Sequence, residues 1–219
     1  MSLQLQQPIL YLITSGETTP RTEPASPEFK RILSLVDSAA SVGINLIQLR
    51  EKNLPARVLY ELARQAASLT RGSTTRILVN DRADIARAAN CDGVHLTTRS
   101  LEANIIRQTF GTDFLIGVST HSIEEALAAR SFGADFVVFG PIFDTPQKRA
   151  YGPPLGLDKL ASAAQELSPF PLVAIGGITR DNAPQTFRAG ASGIAAIRLF
   201  NEPDNLKEIV REITGQWQK

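Results

Sequence analysis

Little in this chain could build a disulfide or metal scaffold. Of 219 residues only one is cysteine, Cys91, so neither an intramolecular disulfide framework nor a multi-cysteine metal site can form. Two histidines, His95 and His121, are too few for a multi-histidine zinc centre. No run of 18 apolar residues occurs, so no transmembrane helix is expected. The first residues lack a basic stretch followed by an apolar one, so no signal peptide is expected and the expected setting is cytoplasmic. Charge of one sign is also lacking: 23 basic residues face 22 acidic ones, a net +1, without the basic excess of a nucleic-acid binder. What remains is 43% hydrophobic and 21% charged, ordinary for a globular protein, and long enough for one domain over 1–219 with a large core.

Short apolar runs alternate with longer amphipathic segments. Ile9–Thr14, Ile44–Arg50, Thr75–Asn80, Gly93–Leu96, Phe114–Ser119, Phe136–Gly140, Leu172–Gly176 and Gly193–Ile197 read as strands. They mostly lack polar alternation, as strands buried on both faces of a parallel sheet do. Between them the spacing predicts helices over Glu28–Val42, Ala56–Arg71, Ala83–Ala89, Leu101–Phe110, Ile123–Phe132, Leu157–Leu167, Asn182–Ala189 and Asn205–Gln216. Ser122 with Glu125 fits a capping box, Leu54-Pro55 fits a helix start, and Gly43, Gly72, Gly111, Gly133 and Gly190 fit the left-handed turn after a helix. Thr18–Pro27, with three prolines, reads as a polar, mobile loop. Eight strands alternating with eight helices is the arithmetic of a compact (β/α)8 TIM barrel, an α/β fold. The competing architecture, a doubly wound open sheet, normally carries a glycine-rich first turn. Here Ser15-Gly16-Glu17-Thr18-Thr19-Pro20 follows the first strand instead.

A parallel barrel carries its site at the C-terminal ends of its strands. Those ends read Gln48-Leu49-Arg50-Glu51-Lys52, Asn80-Asp81-Arg82, His95-Leu96-Thr97-Thr98-Arg99, Ser119-Thr120-His121, the run from Gly140 to Lys148, Gly176-Gly177-Ile178-Thr179 and Ile197-Arg198. Cations predominate: Arg50, Lys52, Lys148 and Arg198. Gly176-Gly177 before a helix offers backbone N–H groups to an anion, and Arg198 adds a fork of donors suited to phosphate. Each feature has a plainer reading. Gln48, Arg50 and Lys52 could form a solvated strand edge, Asn80-Asp81 a helix cap, and Gly176-Gly177 a tight turn. His95, inside an apolar strand, reads as a hydrogen-bonded core histidine rather than a ligand, while His121 at a strand–helix junction is open to either role. Cys91 reads as an inert small hydrophobe and Trp217 as packing or surface. Independent accidents would not all fall at one end of one barrel.

The stretches Gln48-Leu-Arg-Glu-Lys52, Val79-Asn-Asp81, Gly93-Val-His-Leu96, Gly117-Val-Ser-Thr-His121, Gly140-Pro-Ile-Phe143 with Lys148, and Ala174-Ile-Gly-Gly-Ile178 resemble the thiamine phosphate synthase and thiazole tautomerase superfamily over about Ile9 to Phe200. The synthase branch is the nearer. The resemblance implies a transferase with Mg²⁺. It couples 4-amino-5-hydroxymethyl-2-methylpyrimidine diphosphate to a thiazole phosphate carboxylate and yields thiamine phosphate and pyrophosphate by a dissociative path. It implies that Arg50, Lys52 and Lys148 face the departing pyrophosphate and that Asp81 is a metal ligand. Gln48 and Asn80 would hold the substrate's polar edges, and Ser119 would join them. Thr145, Gln147 and Lys148 fall on the loop that closes over the substrates, and Gly177, Ile197 and Arg198 fall where the thiazole phosphate binds. Two positions depart from the pattern: Ser100 stands where synthases carry a second metal-binding aspartate, and Arg198 where they carry serine. The missing aspartate favours the tautomerase branch, in which a histidine matching His121 is the acid/base and no metal is needed. The intact Gln48-x-Arg50-x-Lys52 set favours the synthase. A non-catalytic binder of thiamine precursors is a third reading. The expected partners are these small molecules, with neither nucleic acid nor membrane among them, and a homo-oligomer is left open.

Overall fold

Eight short strands close into a parallel barrel in simple sequence order, β1-β2-β3-β4-β5-β6-β7-β8, with β8 paired back to β1. The structure is a computed structural model that describes residues 6–144 and 153–217. The strands are β1 Ile9–Ile13, β2 Leu46–Leu49, β3 Arg76–Asn80, β4 Gly93–Leu96, β5 Leu115–Thr120, β6 Phe136–Phe139, β7 Leu172–Ile175 and β8 Gly193–Ala196. The helices are α1 Pro27–Ser41, α2 Ala56–Leu69, α3 Ala83–Ala88, α4 Ala103–Phe110, α5 Ile123–Ser131, α6 Gly156–Leu167, α7 Ala183–Arg188 and α8 Leu206–Trp217. The expected TIM barrel is thus present, with element ends moved by a residue or two. Two 3₁₀ turns that periodicity did not reveal, Arg198–Phe200 and Pro203–Asn205, link β8 to α8. Among the described residues no helix is long and apolar enough to cross a membrane.

Successive strand residues point to opposite faces, and both faces are buried. Leu10, Leu12, Ile47, Leu49, Ile77 and Val79 pack outward against helix residues such as Phe29, Val36, Leu62 and Ala66. Ile9, Tyr11, Ile13, Leu46, Leu78, Leu115, Phe136, Val138, Val173 and Ala195 fill the barrel interior. That two-sided burial is why the strands read as continuous apolar runs. Gly117 makes room for an interior ring: a Cβ there would lie 2.3 Å from the Phe136 ring.

The N-terminal end of the barrel is closed by a repeated device. Asn45, Asp92, Asp135 and Ser192 each stand just before an even-numbered strand. Each accepts an N–H from the first or second residue of the odd strand before it, from Leu10, Ile77, Ile116 and Leu172 at 2.7, 2.8, 2.7 and 3.3 Å. Arg107 reinforces one of these, donating to Asp135 at 2.7 Å and to the carbonyls of Gly111, Phe114 and Gly133. The polar side chains at this end are consumed by structure.

The predicted capping box at α5 is present in a shifted form. Ser122 accepts from the Glu125 N–H at 3.2 Å, and the Glu125 carboxylate reaches back to the His121 N–H, one residue before the cap, at 2.7 Å. Gly43, Gly72, Gly111, Gly133 and Gly190 all take positive φ after a helix or near its end, as expected. The Thr18–Pro27 loop, expected to be mobile, is pinned instead: Thr22 donates to Glu28 at 2.6 Å and Thr18 to Glu51 at 2.6 Å.

Candidate active site

The inward parity that fills the barrel continues at its C-terminal ends with polar residues. Gln48 on β2, Asn80 on β3, His95 on β4 and Ser119 on β5 share the face of the interior apolar residues. Arg50, two residues beyond Gln48, prolongs it, as does His121 beyond Ser119. Ile175 and Ile197 flank the same interior from β7 and just beyond β8. The structure therefore gathers Gln48, Arg50, Asn80, Ser119, Gly177 and Ile197 around one mouth. Thr145, Gln147 and Lys148 lie outside the described residues.

Beneath the mouth runs a buried polar chain. Gln48 Nε2 donates to the Tyr11 hydroxyl at 3.0 Å, that hydroxyl meets His95 Nδ1 at 3.1 Å, and His95 Nε2 meets Ser119 Oγ at 2.8 Å. Tyr11 is fully buried and Gln48 and His95 nearly so. Burial, and secondarily the positive charge of Arg50, pull the His95 imidazole down to about 3, so it is neutral at physiological pH. Burial likewise pushes the Tyr11 phenol above its ordinary value. His95 is thus the hydrogen-bonded core histidine that its apolar strand implied.

A second buried group sits between Arg50 and Lys52, just beyond β2. Glu51 is 2% exposed, and its carboxylate accepts from Thr14 Oγ1 at 2.5 Å, Thr18 Oγ1 at 2.6 Å, Gly16 N at 3.3 Å and Thr18 N at 3.4 Å. Thr14 Oγ1 also receives the Arg50 N–H at 2.9 Å. The β1–α1 loop is thereby drawn over the end of β2. A Cβ on Gly16, at φ +76°, would stand 3.1 Å from the Arg50 carbonyl oxygen and 3.5 Å from its Nη1.

Charge is concentrated beside this loop. Burial, then the neighbouring Arg50 and Arg99 guanidiniums, lower the Lys52 ammonium from the usual lysine range, and Asp81 opposes them. Those four groups share one field, and an anion placed among them would relieve the repulsion of three cations. Arg99 was not anticipated as a member, because its β4–α4 position has no spacing signal linking it to β2. Asp81 is exposed and adopts φ +60°, a left-handed conformation uncommon outside glycine and tolerated best by Asn and Asp; its N–H is held by the His95 carbonyl at 2.9 Å. The Ser100 hydroxyl is committed to its own turn, accepting from Thr97 N at 2.7 Å and meeting Thr97 Oγ1 at 3.1 Å. Among the described residues no three His, Cys, Asp or Glu side chains converge into a metal cage.

On the β7 and β8 side, Gly176 and Gly177 take φ of +100° and +65°. A Cβ on either would strike Pro141 or Phe143 at 2.5 and 2.7 Å, so the close approach of the β6 and β7 ends requires glycine at both. The helix expected over Asn182–Ala189 is present at Ala183–Arg188. It follows a turn in which Asn182 donates to the Gly177 carbonyl at 2.9 Å. Arg198 opens a 3₁₀ turn after β8, is exposed, and makes no hydrogen bond or ion pair among the described residues. Asn201 ties that turn to the Ile13 carbonyl at 2.8 Å. His121, on the β5–α5 junction, is exposed and directs Nδ1 to the Gly140 carbonyl at 2.6 Å, which makes Nδ1 the protonated nitrogen of the neutral ring and Nε2 its basic one.

A closed parallel (β/α)8 barrel with a cationic, amide- and hydroxyl-lined C-terminal mouth is the class that fold and site define. Within that class the chain belongs to the thiamine monophosphate synthase family, whose model matches residues 10–200. It is 47% identical over 174 residues to the putative thiamine-phosphate synthase of Geobacter sulfurreducens, covering 79% of this chain and 81% of that one. It is 40% identical over 206 residues to the thiamine-phosphate synthase of Chlorobium luteolum, covering 94% and 91%. The solved structure of a thiamine phosphate pyrophosphorylase from Pyrococcus furiosus superposes with a TM-score of 0.74 at 31% identity, covering 94% of this chain and 96% of that one.

Proposed function

We propose that this protein is a thiamine-phosphate synthase, a transferase. It joins 4-amino-5-hydroxymethyl-2-methylpyrimidine diphosphate to the thiazole phosphate partner and releases thiamine phosphate and pyrophosphate. The observation that carries the reading is the inward face that Gln48, Asn80 and Ser119 share at one mouth, prolonged by Arg50, in a chain whose family match spans 10–200. Arg50, Lys52 and Arg99 receive the diphosphate. As the bond from carbon to the leaving oxygen breaks, the charge that grows on pyrophosphate meets groups already placed for it, which is where electrostatic stabilisation acts on rate. Gln48 and Asn80 hold the polar edges of the pyrimidine, and Ser119 completes that wall. Gly177, Ile197 and Arg198 receive the thiazole phosphate. Lys148, with Thr145 and Gln147, completes the pyrophosphate side in this reading. The protein works in the cytoplasm, with small molecules as its partners.

Among the described residues a magnesium ion would be held at Asp81. Asp81 supplies a hard, exposed carboxylate, and the committed Ser100 hydroxyl supplies nothing comparable, so the remaining ligands would be diphosphate oxygens and water. Bound there, the ion would neutralise charge on the leaving group. Asp81→Ala should therefore abolish coupling or sharply raise the Mg²⁺ concentration required, and Ser100→Asp should lower it. Undiminished coupling by Asp81→Ala across a Mg²⁺ titration would remove Asp81 from the site. The reading as a whole is tested by mixing the purified protein with both substrates and Mg²⁺ and measuring thiamine phosphate.

A further inference from the structure

We propose that Tyr11 and His95 are positioning residues for the coupling reaction. The chain Gln48–Tyr11–His95–Ser119 sets one polarity across the barrel, so that Gln48 presents its carbonyl oxygen to the substrate while Ser119 presents its hydroxyl hydrogen. The inference rests on the synthase reading for what binds at the mouth and on hydrogen-bond accounting for everything beneath it.

Tyr11 is the middle of the chain. Its oxygen accepts a hydrogen from Gln48 Nε2 at 3.0 Å. Its own hydrogen then needs an acceptor, because the phenol is fully buried and an unmade hydrogen bond there is costly. Among the described residues His95 Nδ1, at 3.1 Å, is the acceptor in reach. A neutral imidazole that accepts at Nδ1 carries its hydrogen on Nε2, which donates to Ser119 Oγ at 2.8 Å. No described residue accepts the hydrogen of Ser119, which is half-buried at the end of β5. At the other end one of the two Gln48 Nε2 hydrogens is spent on Tyr11, which fixes the orientation of the amide and leaves its oxygen for the ligand. Four groups from β1, β2, β4 and β5 thus act as one wire. Its two ends have complementary character, and neither end can invert without the whole chain inverting.

The rings are held for this task. Tyr11 meets Phe136 edge-on with centroids 5.7 Å apart and lies 5.7 Å from His95, and Phe136 occupies the space that Gly117 leaves. A carbonyl oxygen at Gln48 suits an exocyclic amine, and a hydroxyl hydrogen at Ser119 suits a ring nitrogen or a diphosphate oxygen. An aminopyrimidine diphosphate offers all three. The chain discriminates by polarity: a ligand of the same shape with a carbonyl in place of its amine would meet oxygen facing oxygen.

Two measurements test the proposal. Long-range ¹H–¹⁵N NMR of the full-length wild-type protein at pH 7 reads the His95 tautomer directly. The expected state is a single form protonated on Nε2 and bare on Nδ1; an Nδ1–H form, a mixture of the two or a doubly protonated ring would overturn the proposal. Steady-state kinetics of Tyr11→Phe, which keeps the ring and deletes the link, should show KM for the pyrimidine diphosphate rising about tenfold while KM for the thiazole phosphate stays within about twofold. An unchanged pyrimidine KM, or equal losses toward both substrates, would reduce Tyr11 to a packing residue and overturn it as well. If wild type makes no thiamine phosphate, the functional reading fails while the tautomer measurement still decides the chain. The same measurement serves if Tyr11→Phe does not fold.

Discussion

His121 and Arg50 stand at the same mouth and answer to different chemistry. Arg50 would face charge that develops as pyrophosphate departs, and removing one such donor costs on the order of 10²–10³ in rate. His121, with Nδ1 held by the Gly140 carbonyl, offers a basic Nε2, which matters only where a proton is transferred in the slow step. In a synthase, Arg50→Ala should therefore cripple formation of thiamine phosphate and His121→Gln should reduce it modestly; in a thiazole tautomerase the order inverts. Rates of both variants with the diphosphate substrate and with the unrearranged thiazole carboxylate check the ranking. A second prediction at this scale concerns Cys91, whose thiol donates to the Ala63 carbonyl and is pushed up to about 12 by burial, aided by Asp92. Because the folded thiol keeps its proton above the pH at which the unfolded one loses it, stability should fall as pH rises from about 8.5 toward 12, by about 1.4 kcal/mol per unit for this one group. Urea unfolding of wild type and Cys91→Ala against pH should show the slope in the first and its reduction in the second. The residues that end strands were legible because a polar side chain closing an apolar run is visible in sequence. Tyr11 was not: it lies 84 residues from His95, and its strand, ILYLI, shows one polar tip with nothing to say what it meets.

The ends of the strands divide the molecule's labour. At the N-terminal end Asn45, Asp92, Asp135 and Ser192 spend their side chains on strand N–H groups, while at the C-terminal end Gln48, Arg50, Asn80 and Ser119 stand at the mouth, where the proposed reading has them meet the substrate. Asp135→Ala removes the acceptor of Ile116 and the partner of Arg107, so it should cost about 2 kcal/mol of stability and leave both KM values unchanged. Glu51→Ala should behave differently. It leaves two hydroxyls and two backbone N–H groups of the β1–α1 loop without their acceptor, so a loss of about 2–4 kcal/mol should come with weaker binding of the diphosphate, because the loop also bears on Arg50. Chemical denaturation combined with substrate titration separates the two cases. The alternation of strands and helices was readable from burial on both strand faces. The loop's order was not, since three prolines and a polar composition say nothing of a carboxylate waiting beneath. The 3₁₀ turns around Arg198–Phe200 and Pro203–Asn205 were hidden for a related reason: three residues carry no periodicity, and Asn201 reaching across to Ile13 holds the first in place.

At the scale of the whole molecule, closure is what turns scattered strand-end residues into a site. Gln48 and Ser119 are separated by 71 positions in sequence and joined by two side chains through the barrel interior. Counting β–α units was enough to expect a closed barrel, and reading strand ends was enough to expect which polar residues stand at its C-terminal mouth. That the charge of Arg99 is felt at Lys52 depends on how the strand ends are arranged around the barrel and could not be read from spacing. The central claim is that this mouth makes thiamine phosphate, and the most direct test is product formation by the purified protein from the pyrimidine diphosphate, thiazole phosphate and Mg²⁺. The account predicts thiamine phosphate and pyrophosphate in equal amounts, and loss of both in Arg50→Ala. Absence of thiamine phosphate, with turnover only of the unrearranged thiazole carboxylate that vanishes in His121→Gln, would contradict it.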